Sequence, residues 1–125
     1  MYWACGLVRV LGLCEQEPAM TKYFFQANYV GDGMKGLMQE GGSKRRDAIV
    51  QALESVGGSL ECIYYAFGET DVLGVFDIPD QSSAVALSLM INSSGAVDLR
   101  LTPLMTPEDI DGAVSKTPSY RAPGQ

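Results

Sequence analysis

The chain has 125 residues, 46% of them hydrophobic and 19% charged, the size and composition of one globular domain rather than a disordered or fibrous chain. Nine Lys and Arg against fifteen Asp and Glu leave a net charge of −6, and there is no His. The acidic balance argues against nucleic acid as a partner, because phosphate binding is driven by cations; the missing imidazole excludes Ser-His-Asp triads, His-ligated haem and His-containing zinc sites.

Residues 1–19, MYWACGLVRVLGLCEQEPA, are apolar but lack the leading positive charge and small-residue cleavage pattern of a secretory signal. They are also too short to span a bilayer. Leu11-Gly12-Leu13-Cys14 resembles a lipoprotein box, except that Leu13 is not small. The expectation is an extension preceding a natural start at Met20, with no membrane partner. Cys5, Cys14 and Cys62 are odd in number and show no Cys-x-x-Cys spacing, so neither a disulfide framework nor a metal cluster follows. Cys62 reads as a small hydrophobe inside a strand, in a reducing, cytoplasmic compartment. No cofactor or metal is expected.

From Met20 the elements follow one another without a repeat or a linker. Lys22 to Val30 alternates Tyr23, Phe25, Ala27 and Tyr29 against Gln26 and Asn28, the period of a strand. Gly31 to Gly42 holds five glycines and reads as a loop with at most a helical turn. Ser43 is the expected N-cap of a helix with Ile49, Ala52, Leu53 and Val56 on one face, stopped by Gly57-Gly58. Leu60 to Phe67 and Val72 to Ile78 are strands around a Gly68-Glu69-Thr70-Asp71 turn. Pro79-Asp80 opens a helix carrying Ala84, Leu87, Met90 and Ile91, closed by Ser93-Ser94-Gly95. Val97 to Leu104 is the last strand. Thr106-Pro107-Glu108-Asp109 starts a short helix with Pro and acids in its first turn. The domain is expected over 20–112, with residues 113–125 as a mobile tail.

The order βαββαβ is that of an α+β, ferredoxin-like fold, a four-stranded antiparallel sheet with two helices on one face. Phe24, Ile63, Tyr65, Phe67, Leu73 and Val75 fall in the register opposite Phe25, Leu60 and Val72, so they are expected on the face away from the helices. Six large apolar side chains on a bare sheet exceed what a monomer usually exposes. A second copy is the expected cover, giving a homodimer; the apolar residues 1–19 are the alternative.

Gly31-Asp32-Gly33-Met34-Lys35-Gly36 is a literal G-x-G-x-x-G after a strand. It is rejected as a dinucleotide site, because Gly41-Gly42 interrupts the helix that would hold a pyrophosphate and the first strand carries Gln26 and Asn28. Gly36 to Ser43 approaches a P-loop, but Gly42 occupies the Lys slot. Lys44-Arg45-Arg46 at a helix start opposes the macrodipole. A bound anion would compensate it, though pairing with Glu40 and Asp47 is the plainer explanation. Tyr23, Tyr29, Tyr64 and Tyr65 could line an aromatic pocket or simply pack in strands. Asn28 lies among polar residues of a central strand, and Asp71 closes the turn, where backbone N–H acceptance is its ordinary role.

The Tyr-rich first strand (Tyr23 to Tyr29), Gly33 and Gly36, Arg45-Arg46, Gly57-Gly58, Tyr65, the Gly68…Asp71 turn and Pro79-Asp80 together resemble the GYD domain, a family of small, mostly bacterial proteins of unknown function. In the signature Gly-x-Tyr-Asp, Thr70 stands in the Tyr slot. The resemblance implies a ferredoxin-like fold and a dimer of the dimeric α/β-barrel type, in which two sheets pack face to face. Its wider relatives include haem-dependent and cofactor-free oxygenases and cyclases, whose chemistry generally relies on the His absent here. The expected function is therefore binding of a small molecule or a protein partner without catalysis. The alternative is a cofactor-free oxygenase or cyclase acting on an aromatic or polyketide-like substrate between sheet and helices. Asn28, Tyr29, Arg46, Tyr65 and Asp71 are the expected polar pocket groups. A purely structural assembly protein is a third option.

Overall fold

Alternation along the first strand sets the two faces of the sheet. In the computed structural model, which describes residues 20–125, Tyr23, Phe25 and Ala27 of β1 (Thr21–Tyr29) are buried while Phe24, Gln26 and Asn28 are half-buried. The expected extension over 1–19, with Cys5 and Cys14, lies outside the described residues.

β1 is central. It pairs antiparallel with β3 (Val72–Ile78) and with β4 (Val97–Pro103), and β2 (Ser59–Tyr65) pairs antiparallel with β3, giving the sheet order β2-β3-β1-β4. This is the α+β, ferredoxin-like arrangement that the element order implies. The helices are α1 (Gly33–Glu40), α2 (Gly42–Glu54), α3 (Gln81–Ser93) and α4 (Pro107–Val114). α2 contributes Ile49, Ala52 and Leu53 and α3 contributes Ala84, Leu87 and Ile91 to one core with Phe25, Val72, Phe76, Ile78 and Leu99. Each large apolar side chain so buried stabilises the fold by roughly 1.5–3 kcal/mol.

Three aromatic rings tie β1 to β3. Phe76 lies 5.7 Å from Phe25 and 5.8 Å from Tyr23, centroid to centroid, within the range of favourable ring pairs. Phe25 lies directly across from Gly74 in the ladder, and its ring covers the glycine: a Cβ there would sit 2.8 Å from Phe25 Cε2 and 2.2 Å from the Cys62 carbonyl oxygen.

The helix termini follow local chemistry at three places. Asp80 caps α3 by accepting from the Ser83 N–H at 2.8 Å, and this backbone donor holds the Asp80 carboxyl below its ordinary range. Thr106 and Asp109 form a reciprocal capping box on α4. At the third, the expected cap fails. Ser43 lies inside α2, whose N-cap is Gly41 at φ 84°, ψ 167° with no side-chain cap; that backbone region favours glycine. The same residue ends α1, so the two helices are separated by a single glycine rather than by a loop. α1 itself forms where a loop was expected, because Met34, Lys35, Leu37, Met38, Gln39 and Glu40 are good helix formers and outweigh Gly36.

A further difference concerns β2. Its register against β3 slips between Leu60 and Cys62, a β-bulge that leaves Glu61 without a partner. Beyond it, Ile63 and Tyr65 pack against the core under the helices, and Phe67 stacks on Tyr65 at 6.1 Å. The expected placement of these three on the far face is thereby corrected. Cys62 and Tyr64 take that face instead, opposite Val75 and Leu73. The far face thus carries Phe24, Cys62, Tyr64, Leu73 and Val75. At one end of it, Glu61 and Asp77 (3.1 Å) both bind Lys22, raising its pKa through the hydrogen bond to Glu61 first and that to Asp77 second.

On the free edge of β4, Asn92 of α3 accepts from the Leu99 N–H at 2.7 Å and donates to the Leu99 carbonyl at 3.3 Å. This occupies an edge position that another strand could otherwise use. α4 and the following residues are exposed, apart from the half-buried Ala122.

Gly74→Ala is expected to lower unfolding free energy by at least about 1–3 kcal/mol, the ordinary cost of overpacking. Gly36→Ala, in open space on α1, is expected to be neutral or stabilising by up to about 1 kcal/mol. Urea unfolding of the two variants checks both signs.

Candidate functional site

A cleft opens between the helices and the sheet at the end of β1 where Tyr29 faces Val97 across the ladder. Its inner chamber, about 60 Å³, is lined by Phe25, Ala27, Ile49, Leu53, Val72, Leu87, Leu99 and other apolar groups, with Tyr29 and Arg45 as its polar members. Its outer part, about 490 Å³, is bounded by α1 (Asp32, Gly33, Gly36, Leu37, Glu40) and the end of α3 (Met90, Ile91, Ser94). Tyr29, Arg45, Ile91 and Val97 belong to both parts and form the neck between them.

The positions of these groups follow from chain geometry. α1 can approach β4 because Gly33 has no side chain: a Cβ there would lie 2.0 Å from the Ala96 carbonyl oxygen. Arg45 precedes Ile49 by four residues, so on α2 it shares the core-facing stripe. Tyr65 reaches the same region only because the β2 bulge turns it toward the helices. Its hydroxyl donates to the Gly42 carbonyl at 3.1 Å, and its ring lies 3.2 Å from where a Cβ on Gly42 would be. Phe67, beside it, holds φ at 55°, a conformation that bulky residues seldom adopt.

Burial pushes the Tyr29 phenol above its ordinary pKa. Neighbouring Tyr65 adds to the rise, while Arg45 opposes it. The Arg45 guanidinium contacts Glu40 Oε1 at 3.5 Å, and its side chain is 30% exposed. The neck therefore offers a protonated phenol and a permanently charged guanidinium beside apolar walls. Such an arrangement can bind and orient a ligand with an apolar body and an oxygen acceptor.

Of the five expected pocket residues, Tyr29 lines this neck, and Tyr65 lies next to Tyr29 without lining the cleft. Arg46 points elsewhere, with a side chain 53% exposed and 3.7 Å from Asp47; Arg45 is the basic residue at the cleft. Asn28 and Asp71 pair with each other's strand backbone instead. The Asp71 carboxylate accepts from the Tyr29 N–H at 2.9 Å, and the Asn28 side-chain oxygen accepts from the Asp71 N–H at 2.9 Å. They fix the β2–β3 turn to β1 and so set the position of Tyr29 without lining the cleft. Thr70 is buried beside them, with Gln26 Nε2 donating to its hydroxyl at 3.5 Å. The four-residue spacing to Ile49 was the signal that singles out Arg45 over Arg46. Glu40 was legible only as an ion-pair partner, because its place at the rim depends on α1 being a helix.

Among the described residues no group of three or more His, Cys, Asp or Glu is placed to hold a metal ion, and no helix is long and apolar enough to cross a membrane. Residues 23–114 match the family model described as the GYD domain. Searches of curated proteins and of solved structures give no match.

Asp71→Ala is expected to cost about 1–3 kcal/mol, by leaving the part-buried Tyr29 N–H without its acceptor; Asp71→Asn, which keeps an acceptor, costs less in the same urea titration. The raised Tyr29 pKa predicts that this phenol ionises late in an ultraviolet pH titration and that Tyr29→Phe removes the late component. The sign for stability follows: the folded state holds the Tyr29 proton more tightly than the unfolded chain. This contribution is complete below the ordinary value of 10.0 and is lost as pH rises through the folded value.

Proposed function

The chain belongs to the GYD domain family, and on that premise we propose that it is a homodimeric, non-catalytic domain that binds a small molecule in the cleft between helices and sheet. The observation that carries the reading is the neck: Tyr29 and Arg45 converge beside a chamber with apolar walls, with Tyr65 next to Tyr29. Polar groups few in number and convergent, on a mostly apolar surface, are the general form of a ligand site. A reducing, cytoplasmic setting fits the free, part-buried Cys62.

The alternative of a cofactor-free oxygenase or cyclase needs a base at the substrate. Tyr29, the phenol best placed for it, has its pKa shifted upward by burial, so near neutrality it donates a hydrogen bond and does not remove a proton. That direction favours binding over catalysis.

The second copy of the chain is proposed to cover the far face, where Phe24, Leu73, Val75, Cys62 and Tyr64 form an apolar band across β1, β3 and β2, with Tyr64 66% exposed. Charged groups flank that band at Lys22 and Arg100, as expected of an interface with a greasy centre and a polar rim.

Light scattering on the purified protein is expected to give twice the chain mass, and Val75→Glu to give the single-chain mass with an unchanged far-ultraviolet spectrum. A wild-type monomer at high micromolar concentration overturns the dimer. For the cleft, a fragment screen followed by amide NMR is expected to shift Ala27, Tyr29, Ile49 and Val97; shifts confined to the far face, or none from any fragment, overturn the binding reading.

A further inference from the structure

We infer that the ligand of this cleft is an apolar monocarboxylate, an aromatic or branched hydrophobic body carrying one anionic oxygen group, and that Glu40 is a built-in competitor for the position its carboxylate takes. The inference deepens the proposed binding function and rests on it.

Arg45 is the one charged residue that lines both parts of the cleft; Asp32 and Glu40 line only the outer part. A group seated in the neck, past the two acids of the outer part, therefore meets this cation. The guanidinium has five N–H donors in a planar fork that matches a carboxylate. Glu40 engages it at 3.5 Å through a single Nη1–Oε1 contact, longer than the 2.7–2.9 Å of a well-made charge-assisted bond. With side chains 30% and 47% exposed, the pair is a loose, half-solvated one of small net stability, and most of the donor fork is left for another acceptor.

Tyr29 lines the same neck. Its phenol lies near Arg45 and Tyr65 and, like any phenol near neutrality, is protonated and able to donate. The Tyr65 hydroxyl is already committed to the Gly42 carbonyl, so Tyr29 is the phenol available to a ligand. Behind the neck the chamber is apolar and about 60 Å³, which selects a small hydrophobic end, while the rest of the body lies in the outer part of about 490 Å³.

The two acids of the outer cleft set the count of charges. A ligand with a second anionic group would bring it against Asp32 or Glu40, and like charges at short range disfavour binding. A single carboxylate is accommodated; dicarboxylates and phosphate monoesters are excluded by the same surface. An amine would be welcomed by Asp32 and Glu40 but would have to pass its charge beside Arg45 to seat its apolar body. The order of charges along the cleft, acid outside and base at the neck, is what decides between the two.

The test is amide NMR on the full-length chain with three probes of one shape: phenylacetate, methyl phenylacetate and phenethylamine. Phenylacetate is expected to shift Ala27, Tyr29, Ile49 and Val97 and to bind more tightly than the ester or the amine. Glu40→Gln, which removes the competitor, is expected to strengthen phenylacetate binding by about three- to tenfold while leaving the ester unchanged. Arg45→Gln is expected to weaken phenylacetate by roughly tenfold or more, the loss of a charge-assisted contact, with little effect on the ester. The gain in Glu40→Gln cannot come from misfolding, so it guards against a damaged Arg45 variant. If the ester or the amine binds in the cleft as well as the acid, or Glu40→Gln leaves the acid's affinity unchanged, the monocarboxylate inference falls and the cleft-binding reading stands. If no probe shifts the cleft residues at millimolar concentration, both fall.

Discussion

Between Leu60 and Cys62 the ladder joining β2 to β3 slips by one residue, and every β2 side chain after Glu61 changes face as a result. Side chains alternate with a period of two, so a single inserted residue exchanges an entire half-strand between the two surfaces of a sheet. Ile63 then packs beside Gly74 and Phe25, and Tyr65 reaches the Gly42 carbonyl at the start of α2. Glu61 stays on the far face, where it binds Lys22. Without the slip, Tyr65 would lie opposite Asp71 on the far face, away from the Gly42 carbonyl.

The rest of the cleft depends on close approaches that only glycine permits. Gly33 lets α1 start against Ala96, and Gly42 leaves room for the Tyr65 ring. Gly41, with φ at 84°, turns the chain from α1 directly into α2. The glycines of the G-x-G-x-x-G pattern and its neighbours thus have a packing role. They shape the cleft's outer wall; the helix after them is too short and too early interrupted for the pyrophosphate geometry their spacing suggests.

Much of this was legible in the residues, and the parts that were not share a cause. The strands, the α2 and α3 core stripes, the Asp80 and Thr106 caps and the family likeness all rest on local patterns within a few residues. Tyr29 and Tyr65 stood out singly as aromatics in strands, but their pairing did not, because an unbroken β2 puts Tyr65 on the far face. The bulge was not, because Leu60-Glu61-Cys62 alternates as an ordinary strand would and the slip is visible only against β3. α1 was hidden by its glycines, and with it the place of Glu40 at the rim. Arg46 stood out as readily as Arg45 in a basic triplet; only the turn of α2 relative to Ile49 separates a cleft residue from a solvent-facing one. Asn28 was read as a pocket group because polar residues in a central strand need partners; Asp71 closes a turn, where backbone N–H acceptance was already the ordinary expectation. Their partners are backbone N–H groups of neighbouring strands, and they act on the site by positioning Tyr29.

The central structural claim is that the β2 slip seats Tyr65 under the helices, and proton–proton contacts in a nuclear Overhauser spectrum test it most directly. Cross-peaks from the Tyr65 ring to Gly42 and Val72, together with Tyr64 contacts to Leu73, are the result the account requires. Ile63 contacts to Leu73, with Tyr64 opposite Val72 and facing the helices and Tyr65 opposite Asp71, would place β2 in unbroken register and contradict it.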